Sequence, residues 1–424
     1  MIGLTIENIC SACGGELKGP AGSSAEAACV VIDSRKIEAG GVFIATKGER
    51  VDGHSFIPQV FEAGALAVVC EEAPADPEGP CIVVADSFKA LTDIAAFYRK
   101  QLDCRFIGIT GSVGKTSTKE MTAAVLSQKY KVCSTEGNFN NEIGVPLTLL
   151  RIREDDECAV VEMGINHFGE MSRLTALVRP DIAIITSIGE CHLEAFRDRD
   201  GVLKAKTEIF EGMSDDAVAV LNGEDDKLAT VRRKNTVFYT SADAPDLSFI
   251  RGRHMQLNAH GAATVGKLLG VSDEQIIAGL RGVEIMKGRG GIVDMGSYSV
   301  MDDCYNANPT SVRASIDVLC DSKADTKVAI LGDMFELGED EAKLHAEVGR
   351  YAKEKGVDRL VTVGALSKNM MEAYGNAEHF ENTDTLLEAL EEMRFDGSMV
   401  LVKASHGMHF ERVVEALKSK GVTE

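Results

Sequence analysis

The sequence predicts an α/β protein with largely parallel sheets. Short β-rich apolar runs alternate with longer helical patterns along the whole chain, and near 106–117 an apolar run passes through a glycine-rich turn straight into a helix. At roughly 150 residues per domain, 424 residues make two or three domains. No repeat of fixed period and no low-complexity segment interrupts the pattern.

In chain order, strands are expected at 29–32, 42–46, 66–70 and 82–84, then at 106–110, 158–162, 182–186 and 217–221. A last group falls at 299–301, 327–331, 359–363 and 399–403. Helical spacing is clearest at 117–128 and 341–355. One boundary is expected near 102–105, where a helical stretch gives way to a new strand. Another falls at Lys287-Gly-Arg-Gly-Gly291, between a helical segment and a strand. The resulting units, 1–103, 104–286 and 287–424, are ordinary domain sizes.

Composition narrows the function. With 45 basic and 66 acidic residues the net charge is −21, a poor match for nucleic acid or anionic lipid. An anionic ligand must therefore be held by local donors against the overall field. The 11 cysteines are an odd number, and Cys70, Cys81 and Cys158 sit in apolar runs, as reduced thiols of a cytoplasmic protein do. Cys10 and Cys13 form a lone CxxC without the second pair a zinc site requires. The first residues lack the basic and apolar regions of a signal peptide, and no apolar run approaches the ~20 residues of a membrane span.

The strongest chemical signal is Thr110-Gly111-Ser112-Val-Gly114-Lys115-Thr116-Ser117 between strand and helix. Glycines let the backbone curl so that its N–H groups face phosphate oxygens; Lys115 would bridge the terminal phosphates and Thr116 would offer its hydroxyl to Mg²⁺. The strict phosphate-loop pattern asks for glycine at 109, where Ile109 stands. Downstream, the apolar run 158–162 ends in Glu162, an oxygen ligand suited to a hard cation and, beside the glycine-rich turn, favoured over a plain strand-end surface acid. His192 follows the strand at 182–186. Lys206 lies in a helical pattern where the residues alone suggest a surface lysine.

The segment 110–117 resembles the ATP loop of the Mur ligases, which carry TGxxGK[TS], and the resemblance extends over nearly the whole chain. It rests further on Gly137-Asn138-Phe-Asn140-Asn141-Glu-Ile-Gly144, on Glu162-Met-Gly-Ile-Asn166, on Asp302-Asp303-Cys-Tyr305-Asn306-Ala-Asn308-Pro309 and on Gly332-Asp333-Met-Phe-Glu336-Leu-Gly338. In the first unit, Asp33-Ser34-Arg35 and residues 47–54 resemble uridine-diphosphate-binding segments. The resemblance implies three domains: a UDP-binding α/β domain, a central parallel-sheet domain with the ATP loop, and a C-terminal Rossmann-like domain. The implied activity is ATP-dependent formation of an amide bond through an acyl phosphate, adding D-alanyl-D-alanine to a UDP-N-acetylmuramoyl-tripeptide in peptidoglycan synthesis. The protein would be a cytoplasmic monomer.

Site residues follow by resemblance. Lys115, Glu162, His192 and Lys206 would carry catalysis. Two Mg²⁺ ions would rest on Thr116, Glu162, His192 and a carbamylated Lys206. ATP would be bound by 110–112 and 114–117, with Asn258 at adenine, Arg289 at phosphate and Asp303 at ribose or anchoring a loop. Ser34, Arg35, Asn138, Asn140, Asn141, Asn306 and Asn308 would bind substrate.

Three departures stand out. Met255 replaces the first asparagine of the Gly-x-His-Asn-x-x-Asn motif and cannot donate an amide hydrogen bond. The stretch 238–252 is short and reads as a bare linker. His406 stands where an arginine is usual, which weakens a carboxylate contact. A ligase for a different amine and a nucleotide-binding paralogue with little catalysis are the alternatives.

Overall fold

The computed structural model describes residues 1–424 except 21, 22, 49, 285 and 422–424. Glu49, within the 47–54 segment, therefore lies outside the described residues. Among the described residues, seventeen strands form three sheets. The first contains β1 (Glu16–Lys18), β2 (Val30–Val31), β3 (Val42–Ile44), β4 (Ala67–Cys70) and β5 (Cys81–Val83), in the order β1-β5-β4-β3-β2. The second contains β6 (Arg105–Thr110), β7 (Val132–Ser134), β8 (Cys158–Glu162), β9 (Ile182–Ile185), β10 (Val218–Asn222) and β11 (Thr236–Tyr239). Its order is β11-β10-β9-β6-β8-β7, and every pairing is parallel. The third holds β12 (Gly291–Asp294), β13 (Ser299–Asp302), β14 (Thr326–Gly332), β15 (Arg359–Val363), β16 (Glu378–Phe380) and β17 (Ser398–Lys403), ordered β12-β13-β17-β14-β15-β16. Among the described strands, β1 and β12 alone run antiparallel to their neighbours.

The sequence pattern explains the central sheet. Strand β6 lies in its middle and buries every residue after Arg105, as an apolar run covered on both faces must. Its register sets up the site. Ile109 pairs with Glu162 on β8 and Thr110 with Ile185 on β9. The glycine-rich turn after β6 thus emerges between the carboxylate that ends β8 and the loop that follows β9, at the carboxyl edge where open α/β sheets bind ligands.

Five strands were not anticipated: β1, β7, β11, β12 and β16. Each lies at the edge of its sheet. An edge strand is half solvated and needs no continuous apolar run, and β1 exposes all three of its residues.

The first and second units are joined by packing as well as by chain. Tyr98, buried in the helix Ser87–Arg99, donates its hydroxyl to the Ile152 carbonyl at 2.6 Å. The Arg99 guanidinium sits 3.5 Å from the centre of the Phe106 ring and donates to the Val178 carbonyl. One connected apolar core runs from Leu4 to Leu401 and draws residues from all three sheets. The segment 238–252 is more than a linker: Leu247 is buried in the central core, and Glu224 binds both Ser241 and Arg253.

Candidate active site

The turn after β6 is shaped by two glycines. Gly111 has φ 152° and Gly114 φ 85°. A Cβ on Gly111 would lie 1.9 Å from Thr186 Oγ1, and one on Gly114 would lie 2.4 Å from Asn258 Oδ1. Neither position admits another residue without displacing its neighbour. The turn is fastened to the loop after β9, since the Val113 N–H donates to Ser187 Oγ at 3.1 Å and Thr186 Oγ1 donates to the Val113 carbonyl at 2.5 Å. The helix Lys115–Leu126 starts without a side-chain cap, which leaves its first N–H groups free to serve an anion. Lys115 donates to the Gly111 carbonyl at 2.8 Å. Burial pushes its pKa down, and the negative Glu162 opposes that shift.

A cleft of about 330 Å³ opens between this turn and the third unit. Ser112, Gly114, Lys115, Thr116, Ser117, Glu162 and His192 line one side, with Asn138, Asn140, Asn141 and Asn258. Arg289, Asp303, Asn306, Asn308 and Lys403 line the other. Glu162 is buried. Its Oε1 accepts from Asn140 Nδ2 at 2.8 Å and Thr116 Oγ1 at 3.2 Å, while Oε2 has no partner. An orphaned buried carboxylate oxygen beside a threonine hydroxyl suits a hard cation that completes its shell with phosphate oxygens and water. No group of three His, Cys, Asp or Glu side chains able to hold a metal occurs among the described residues.

His192 adopts φ 50° and faces the cleft, with Nδ1 2.5 Å from Glu336 Oε2 of the third unit. Lys206 is buried and does not line the cleft. Its pKa is lowered to about 8, chiefly by burial, with Cys191 opposing the shift and the neighbouring Lys115 adding to it.

On the facing side, the Arg289 guanidinium lies 3.7 Å from the centre of the Tyr305 ring. His406 flanks that ring at 5.5 Å. Asp303 Oδ2 accepts from Lys403 Nζ at 2.7 Å and Ser315 Oγ at 2.5 Å, so this acid anchors its loop. Asn308 caps the helix Pro309–Cys320. Sequence reasoning missed Lys403 as a site residue. Its signal was a lysine ending an otherwise apolar strand, which pairing with β13 carries to the 303–308 loop.

A second, more apolar pocket of about 540 Å³ adjoins the cleft through Thr116 and Ser117, lined by Phe249, Met255, Leu280, Val283, Met286 and Met301 among others. Asn258 lies outside it, packed on Gly114, with Nδ2 3.8 Å from Met255 Sδ. His254, also missed from the sequence, lines both spaces, and burial lowers its pKa. Ser34 and Arg35 belong to the first unit and do not line the cleft. Arg35 forks onto Asp33 at 2.8 and 2.9 Å and holds that acid at about 2. Thr110 is buried beneath the turn. All 11 cysteines are free, including Cys10 and Cys13.

A glycine-rich phosphate turn on a parallel sheet, with a third α/β unit facing it across a polar cleft, defines a nucleotide-using enzyme with a composite active site. Three family models match the chain in succession: "Mur ligase family, catalytic domain" matches 26–99, "Mur ligase middle domain" 109–277 and "Mur ligase, glutamate ligase domain" 288–406. The chain belongs to the Mur ligase family. It is 36% identical to the UDP-N-acetylmuramoyl-tripeptide–D-alanyl-D-alanine ligase of Bacillus subtilis, over 98% of this chain and 99% of the relative. The Escherichia coli enzyme of the same name is 35% identical, over 99% of this chain and 100% of the relative. The crystal structure I of MurF from Acinetobacter baumannii superposes with a TM-score of 0.87 at 32% identity, covering 98% of both chains. MurF from Thermotoga maritima in complex with ADP gives 0.81 at 26% identity, over 93% of this chain and 98% of that one.

Proposed function

We propose that this chain is an ATP-dependent ligase that adds D-alanyl-D-alanine to a UDP-N-acetylmuramoyl-tripeptide, a cytoplasmic step of peptidoglycan synthesis. The observation that carries the reading is the cleft itself, where the phosphate turn and Glu162 meet side chains of the third unit. In this reading 1–103 binds the uridine diphosphate, with Ser34 and Arg35 among its residues. Residues 104–286 bind ATP, and 287–424 close over it. A monomer suffices, since all three units are present in one chain. No helix among the described residues is long and apolar enough to cross a membrane.

The residues divide the work as follows. The turn 110–117 and Lys115 hold the phosphates, and Arg289 supplies a second cation from the facing side. Asn258 fixes the turn through Gly114, and the apolar pocket lined by Met255 takes the adenine. Asn138, Asn140, Asn141, Asn306 and Asn308 orient the peptide end of the substrate. Its terminal carboxylate oxygen bonds to the γ-phosphorus as the bond to ADP breaks. The amine of D-alanyl-D-alanine then adds to the acyl carbon, loses a proton and expels phosphate. Thr116 and Glu162 would hold one Mg²⁺, and His192 with carbamylated Lys206 a second; when bound, such ions neutralise the charge that gathers on the phosphates. Seating the third unit excludes water from the acyl phosphate.

The test is phosphate release by the purified protein with ATP, Mg²⁺ and UDP-N-acetylmuramoyl-tripeptide, with and without D-alanyl-D-alanine. Release is expected to require both substrates. ATP binding without release under any combination of tripeptide and amine would instead favour a non-catalytic paralogue. Tyr305 offers a finer check, because its ring face supports Arg289. Tyr305→Phe should leave the KM for ATP within about twofold. Tyr305→Leu should raise it about fivefold, the equivalent of roughly 1 kcal/mol of cation–π contact. Equal KM values for the two variants would remove that role.

A further inference from the structure

Glu190 sits in the loop after β9, between Gly189 and Cys191. The phosphate turn grips this loop from one side: the Gly189 N–H donates to Ser112 Oγ at 2.9 Å, and Ser112 Oγ lies 3.4 Å from the Gly189 carbonyl. From the other side it meets the first turns of the helix Pro309–Cys320. Thr310 Oγ1 donates to Glu190 Oε2 at 2.9 Å and accepts from the Glu190 N–H at 3.2 Å. Arg313 Nη1 reaches the two Glu190 oxygens at 3.3 and 3.4 Å, while its Nη2 holds Glu347 at 3.1 Å. The approach is close enough that a Cβ on Gly189 would lie 2.4 Å from Thr310 Oγ1. A polar path therefore runs from the phosphate turn through Glu190 to the helix that Asn308 caps.

We propose that Glu190, Thr310 and Arg313 are positioning residues: their contact seats the third unit on the phosphate turn and so decides whether the acyl phosphate meets the amine or water. Two hydrogen bonds between the same pair of residues fix an orientation, where one would leave a pivot. The Arg313–Glu190 pair is partly exposed, with side chains 27% and 22% accessible, so its contribution is alignment more than stability. Asn306 and Asn308 line the cleft just before the helix that this contact holds, and Asn308 caps it. The proposal rests on the ligase reading. In the productive step the amine nitrogen bonds to the acyl carbon, the carbon–oxygen bond to phosphate breaks and nitrogen gives up a proton. In the leak, a water oxygen forms that bond instead, yielding the carboxylate, phosphate and a proton.

The experiment measures phosphate and amide product separately, using the full chain with ATP, Mg²⁺ and both substrates. The unaltered protein should release about one phosphate per amide bond. Thr310→Val removes both hydroxyl contacts with little change in volume. It should leave the KM for ATP within about twofold, lower kcat about tenfold and raise the phosphate-to-amide ratio to about two or more. Thr310→Ser should restore both kcat and the ratio. Glu190→Gln, which keeps the backbone donor, should show a smaller rise in the ratio and serves if Thr310→Val fails to fold. A ratio near one and a kcat within twofold of the unaltered protein in both variants would overturn the proposal. No phosphate release by the unaltered protein would overturn the ligase reading, and this proposal with it.

Discussion

Replacing Lys115 with alanine is expected to lower ATP-dependent phosphate release by at least about 10²-fold, the scale on which a preorganised charge stabiliser acts. The side chain is held over the turn by its bond to the Gly111 carbonyl and is half-buried at the cleft wall, so its charge is screened less than it would be in open water. Glutamine, which lacks the charge, should fare little better. The fold should survive, because Lys115 contributes no ion pair to the core. Phosphate release and calorimetric ATP binding, measured beside a thermal melt, check this. Activity within tenfold of the unaltered protein, with an unchanged melt, would remove Lys115 from the centre of the site.

Lys206 carries the second large effect. Lys206→Met and Lys206→Arg should each reduce activity about 10²-fold, since neither side chain can accept carbon dioxide. An ordinary lysine is almost wholly protonated near neutrality. At a pKa of about 8 roughly half the amines are neutral at pH 8, and a neutral amine can add carbon dioxide to become a carbamate. The added oxygens would give this position the anionic ligands that a plain lysine lacks. Protein equilibrated with ¹³C-bicarbonate should show a carbamate carbon resonance that Lys206→Arg lacks. A missing resonance in active protein, or full activity of Lys206→Met, would sink the assignment.

The sequence revealed these features unevenly, for physical reasons. Interior strands such as 106–110 and 158–162 must be apolar on both faces, so they stand out as unbroken runs. The edges β1, β7, β11, β12 and β16 face solvent and left no such trace. At the site, the glycine-rich turn was legible because its geometry demands glycine at 111 and 114. The pairing of Ile109 with Glu162 was not, since register depends on where each strand enters the sheet. Asn258 shows the limit of motif reading: its carboxamide packs on Gly114, while Met255 faces the apolar pocket. Lys403 and Glu190 escaped notice because their partners lie far away along the chain.

Tyr98, Arg99 and Phe106 have a consequence for how the molecule holds together. The passage from the helix Ser87–Arg99 to the second sheet takes only residues 100–104, and that helix is bonded to carbonyls of the second unit on the far side. Topology changes there, but the packing does not pause. The first unit therefore gains much of its order from its neighbour, and the two should lose structure in one cooperative transition. A fragment ending near 103 would expose the buried face of Tyr98 and the apolar stem of Arg99, and would be a sticky, partly ordered species more than a free-standing domain.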